Sequence, residues 1–119
     1  MDIFIFRRDF RLEDNIGLIE STKNGKILPI FIFTPEQIKD NVYKSDNAIQ
    51  FMIESLKDLD VQLKKYKSKL HIFFGENLSI LEHINSIFKI NNIYSNKDFT
   101  KYAKDRDKLI KSKFNLSLF

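Results

Sequence analysis

Five short apolar runs alternate along this chain with four longer stretches whose apolar residues recur at three- and four-residue spacing. The runs occupy residues 3–6, 27–33, 70–74, 93–95 and 116–119. Short runs rich in Ile and Phe, without polar alternation, fit strands covered on both faces. The longer stretches fit amphipathic helices. The repeating strand–helix order predicts an α/β domain: a doubly wound, mostly parallel sheet of four to five strands with helices on both faces. In such sheets ligands gather beyond the carboxyl ends of the strands, near the point where strand order reverses. The segments to inspect are therefore 7–15, 34–38, 75–77 and 96–102.

Local signals place the elements. Asp14 and Asn15 can cap a first helix that runs to about Lys23, and Asn24-Gly25 can end it, with Gly as the left-handed residue. Pro29 removes a ladder donor inside the second run, which predicts a bulge or a local sheet edge. Residues 45–47 open the longest helix, to about Lys65, with Ala48, Phe51, Met52, Leu56, Leu59 and Leu63 as its inward stripe. Asn77 can cap the next helix, with Leu81, Ile84, Ile87 and Phe88 turned to the core. Residues 101–113 read as a fourth helix, of mixed charge.

Composition narrows what such a domain can do. The 119 residues make one domain, and 43% hydrophobic content supports a packed core over disorder. The absence of Cys excludes disulfides, thiolate metal sites and thiol chemistry. The first residues lack the charge pattern of a signal peptide, and no apolar run reaches bilayer length. An intracellular protein, in cytoplasm or nucleus and away from membranes, is expected. The net charge is +4, but the Lys residues are scattered among acids, which suits a solvated surface better than a nucleic-acid footprint. His71 and His83 have no second His nearby, so no metal site is expected. Asp58 and Asp60 flank the long helix's stripe and read as solvated, and the twelve Phe read mostly as core. No Gly-rich phosphate loop occurs, which counts against a stand-alone nucleotide-binding module.

The segment after the first strand holds the densest charge: Arg7, Arg8, Asp9, Arg11, Glu13 and Asp14. Arginine offers a rigid fork of donors for carboxylates, phosphates or carbonyls. Arg8 or Arg11 could pair with Asp9, Asp14 or a partner domain, or contact a ligand. The residue types alone leave these readings open. Asp107 stands four residues before Lys111, a spacing that suits a helical ion pair.

Phe6-Arg7-Arg8-Asp9-Phe10-Arg11-Leu12-Glu13-Asp14-Asn15 closely resembles the opening signature of the photolyase/cryptochrome family. The likeness continues through the proline-containing second strand at 27–32, the long helix, the strand and glycine at 70–75, and the pair Asn96-Lys97-Asp98-Phe99 and Arg106-Asp107. The resemblance implies a Rossmann-like N-terminal domain that harvests light or serves structurally beside a separate, helical FAD-binding domain. It implies that this chain alone is not catalytic. It implies light-driven repair of pyrimidine dimers, as in a deoxyribodipyrimidine photolyase, for the complete assembly, or photoreception as in a cryptochrome. A ligand-free interaction module is the further alternative. By motif match, Arg8, Asp9, Phe10 and Arg11 are the candidate contacts for an antenna chromophore. Deazaflavin or flavin is expected over folate, because the positions that hold a pterin in folate-binding members are here Tyr102 and Ala103. FAD is expected only in the other domain. The expected partners are an FAD-domain chain or a second copy, covering a sheet that stops within or near its fifth strand, and DNA only through the whole assembly.

Overall fold

The computed structural model describes residues 1–7, 15, 17–18, 22, 25–34 and 46–119. Five strands, β1 (Asp2–Phe6), β2 (Ile27–Phe33), β3 (His71–Phe74), β4 (Asn92–Ser95) and β5 (Leu116–Leu118), form one sheet in the order β3-β2-β1-β4-β5. Every pairing is parallel. Three helices have described bounds: α1 (Asp46–Lys65), α2 (Asn77–Ile87) and α3 (Lys101–Lys111). The chain builds outward from β1 through β2 to β3, then returns to the other side of β1 for β4 and β5. Strand order thus reverses between β1 and β4.

The apolar runs lack polar alternation because both faces are covered. In β1, Ile3 and Ile5 join the cluster under α2 and α3, with Leu81, Ile84 and Ile110. Phe4 and Phe6 face the other way and pack with Met52, Leu56, Leu59 and Leu63 of α1. All four β1 side chains are at most 1% exposed. At about 1.5–3 kcal/mol per large apolar side chain buried, β1 is the main hydrophobic anchor of the domain.

Pro29 sits where β2 pairs with β1 but not yet with β3, whose pairing begins at Ile30. It occupies the expected local edge. Gly25 has φ +117° and its N–H bonds Thr22 O, consistent with the helix stop read there. Lys67, at φ +59°, closes α1: Lys67 N donates to Lys64 O and Ser68 N to Leu63 O.

Several expectations change. Phe51 belongs by spacing to the α1 stripe but is 72% exposed, because the buried stripe runs Met52, Leu56, Leu59 and Leu63 and Phe51 stands about 100° round the helix from Met52. Ala48 lies outside the residues whose side chains are described. Ile87, the last residue of α2, and Phe88, its C-cap in extended conformation, are also exposed. Ile72 and Phe74 alternate outward from edge strand β3, so a substantial minority of the Phe residues lie outside the core. Asp60 is not simply solvated. Its Oδ1 accepts from Leu70 N at 3.0 Å and its Oδ2 contacts Lys64 Nζ at 3.2 Å, fastening the entry to β3 onto α1. The Leu70 N–H, with help from Lys64, holds the Asp60 carboxyl below its ordinary value. Among the described residues no helix is long and apolar enough to cross a membrane.

Candidate functional site

The crevice between β1 and β4 opens at their carboxyl ends, where Arg7 follows β1 and Asn96 follows β4. Two hydrogen-bonded groups close it. In the first, Asp107 of α3 is 4% exposed and its Oδ1 receives Arg7 Nη1 at 2.7 Å and Arg106 Nε at 3.2 Å. Asp107 therefore spends its charge across 100 residues of sequence, on Arg7. The helical pair with Lys111 suggested by spacing is replaced, because position 107 faces the sheet between Ala103 and Ile110.

In the second group, Asn96 uses both ends of its amide. Its Oδ1 accepts from Gly17 N at 2.8 Å and its Nδ2 donates to Asn15 Oδ1 at 2.6 Å. The same Asn15 oxygen accepts from Leu18 N at 3.1 Å, the cap contact expected of Asn15. A Cβ at Gly17 would overlap Asn96 Oδ1 and come within 3.1 Å of Phe4 Cε2. Only glycine lets this backbone approach so closely. Beneath, Ser95 Oγ donates to Ile5 O at 3.0 Å, tying β4 to β1 where both are buried.

Arg8, Asp9, Phe10 and Arg11 lie outside the described residues. The described residues that bracket them, Arg7 and Asn15, are the two that bond to α3 and to the end of β4. The structure thus joins the first motif to the last, which sequence reading had treated separately. Gly17, Asn96 and Arg7 as positioning residues were missed. A lone Gly just inside a predicted helix start was the available signal for Gly17.

Beside the crevice lies a cavity of about 250 Å³ between the start of α2 and the outer face of α3, lined by Glu76, Asn77, Tyr102, Arg106 and Leu109 among others. The α2 cap is Glu76, not Asn77: its carboxylate accepts from Leu78 N, Ser79 N and Ser79 Oγ. Partial burial pushes the Glu76 carboxyl up, but these hydrogen bonds together bring it below its ordinary value. Tyr102 stands over Arg106, with 5.6 Å from ring centroid to Cζ. Ala103 is fully buried against the core. A carboxylate-mediated grip on a pterin is therefore not available from position 103, in side chain or in direction. A larger cavity, about 610 Å³, opens at the amino ends of the strands between Leu18, Ile27, Pro29 and Leu63, remote from the reversal point. Among the described residues no cluster of three His, Cys, Asp or Glu could hold a metal. The groups at the carboxyl edge orient backbone and present donors.

Comparison with known proteins agrees with this geometry. The family model for DNA photolyase matches residues 2–117. Cryptochrome-1 of Aedes aegypti is 30% identical over 118 residues, covering 93% of this chain and 22% of that protein. The (6-4) DNA photolyase of Arabidopsis thaliana is 30% identical over 115 residues, covering 89% and 21%. Among solved structures, the photolyase of Sulfolobus tokodaii, described with two FAD molecules and the implication of a novel light-harvesting cofactor, superposes with a TM-score of 0.84 at 41% identity, over 100% of this chain and 29% of that one. The bacterial class III photolyase of Agrobacterium tumefaciens shares the fold, with a TM-score of 0.87 at 23% identity. The chain spans less than a third of the length of these relatives. With its motifs interlocked at the reversal point of a parallel sheet, this chain belongs to the photolyase/cryptochrome family and corresponds to its N-terminal α/β domain.

Proposed function

We propose that this domain is the light-harvesting module of a photolyase assembly, taking a flavin or deazaflavin at the carboxyl edge of its sheet and working beside an FAD-binding domain that repairs pyrimidine dimers in DNA. The observation that carries this reading is the pair of anchors at the crevice. Arg7 is held by Asp107 and Asn15 by Asn96 at the end of the sheet where ligands bind in folds of this type, and Arg8, Asp9, Phe10 and Arg11 follow Arg7 in sequence. The 41% identity to a photolyase described with two FAD molecules supports a flavin and favours repair over photoreception. The buried Ala103 argues against folate held in the pterin-binding manner. A bound chromophore would supply absorption of near-ultraviolet or blue light and transfer of the excitation. The residues of this chain bind it, orient it and shield it from water.

The test is a titration of the purified chain, in dim light, with FAD, deazaflavin and folate in turn, followed by absorbance and fluorescence. Saturable binding of a flavin or deazaflavin, weakened at least fivefold by Asp9→Ala or Arg11→Ala, is expected. A chain with a folded circular dichroism spectrum that binds none of the three would refute the proposal.

A further inference from the structure

The larger cavity, of about 610 Å³, lies at the end of the strands opposite the crevice, and the chromophore proposed above does not use it. Its floor is apolar. Leu18, Ile27 and Leu63 come from the cluster that packs α1 onto the sheet, and Leu63 is 5% exposed. Tyr66, just past the end of α1, lines the same cavity with its ring 75% exposed. Two cations, Lys26 and Lys67, complete the wall, and among the described residues no carboxylate lines it. The lysines that form ion pairs among the described residues, Lys64 with Asp60 and Lys113 with Glu82, lie outside this lining. Lys67 also stands at φ +59°. Closing α1 there requires only backbone, and glycine takes that conformation at least cost. The chain keeps an ammonium at position 67 despite the backbone cost, and such outliers point to function.

From this we infer that the amino-edge cavity binds a small aromatic anion, whose ring body lies on Leu18, Ile27 and Leu63 beside Tyr66 and whose carboxylate, sulfonate or phosphate group is held by Lys26 and Lys67. The site is separate from the carboxyl edge and does not depend on the chromophore proposed there. The volume falls within the roughly 300–1,000 Å³ of small-molecule sites. Charge selects the sign of the ligand: two ammonium groups on one wall, with no described carboxylate beside them, attract an anion and repel a cation. The floor selects the body. Aliphatic side chains give a polar ligand no partner for the hydrogen bonds it leaves in water, so only an apolar body gains by entering. An extended peptide is disfavoured for the same reason, since its backbone N–H and C=O groups would meet that floor unpaired. The exposed ring of Tyr66 offers a face for offset stacking, which favours an aromatic body over an aliphatic one.

The test titrates the purified chain with anilinonaphthalene sulfonate, an aromatic anion whose fluorescence rises in apolar sites, and with phenylnaphthylamine, a neutral relative that lacks the sulfonate. The anion should bind saturably, one per chain, and at least tenfold more tightly than the neutral compound. Lys26→Ala and Lys67→Gly should each weaken the anion at least threefold and leave the neutral compound within about twofold. Tyr66→Ala should weaken both compounds. Lys67→Gly relaxes the backbone at position 67, so its melting temperature should hold or rise, and weaker binding by that variant reports the lost charge and not a lost fold. Lys104→Ala, exposed on α3 across the sheet from this cavity, should change neither affinity. Equal affinity for the two compounds, or an anion affinity unchanged in both lysine variants, would overturn the inference. Loss of the signal with Phe74→Ser in place of the lysine variants would put the dye on the exposed edge strand β3 and overturn it as well. So would a folded chain that binds neither compound saturably.

Discussion

Asp107→Ala removes the one carboxylate that two guanidiniums share at the crevice. The Asp107 side chain is 5% exposed, Arg7 12% and Arg106 10%, so solvent screens the pair little. Breaking a buried ion pair by deleting one partner costs about 3–5 kcal/mol, chiefly because the other charge is left buried. A domain of this size holds roughly 5–15 kcal/mol in total, so the variant should lose about a fifth of its stability or more. The melting temperature should fall by roughly 10–20 °C. Urea unfolding followed by circular dichroism measures the loss directly. Asp107→Asn, which keeps the shape and an acceptor, should lose less. Arg7→Met combined with Asp107→Ala should be less damaging than the sum of the two by about 2 kcal/mol, since the pair is then removed together. A loss below about 1 kcal/mol for Asp107→Ala, or strict additivity with Arg7→Met, would show that the cluster does not hold the edge together and that the anchor argument fails.

Gly17→Ala sets helix propensity, worth about 1 kcal/mol in favour of Ala, against overlap with Asn96 and Phe4, worth about 1–3 kcal/mol against it. The variant should melt lower, and adding Asn96→Ala should recover part of the loss; a higher melting temperature would mean the approach is looser than described. Glu76→Ala should destabilise by about 1 kcal/mol through loss of the α2 cap. Because the folded Glu76 carboxyl is held below its ordinary value of 4.5, its contribution is complete above that pH and fades as pH falls through the lower, folded value. The difference between wild type and Glu76→Ala should therefore shrink only below about pH 4.5, and a difference that is flat to pH 3 would contradict the capping charge. Asp60→Ala should follow the same sign, below its ordinary 3.8, with the Leu70 amide exchanging faster in hydrogen exchange.

The periodicity of the chain was enough to place the strands, the three helices with described bounds and the parallel architecture, because covered strands and one-sided helices leave different spacings in sequence; the first helix, expected to run to about Lys23, lies largely outside the described residues. Boundaries moved by a residue or two, and Pro29 could be read correctly because a missing N–H has few tolerated places in a sheet. Local spacing misjudged Phe51, Ile87 and Phe88, since spacing alone sets neither the width of the covered stripe nor the residue at which the helix stops. It likewise assigned Asp107 to Lys111, four residues along, when its partner lies 100 residues away.

By itself, then, the sequence determined the order of elements, the family through its opening motif, and the end of the sheet at which a site should form. Those depend on near neighbours and on residue type. The contacts that build the site were decided only by the tertiary structure: Arg7 on Asp107, Asn15 and Gly17 on Asn96. The partners Arg7 and Asp107, Gly17 and Asn96, and Asn15 and Asn96 are separated by some 80 to 100 residues and meet because strand order reverses between β1 and β4. No local rule carries that information, because hydrogen bonds and ion pairs are short in space and indifferent to distance along the chain.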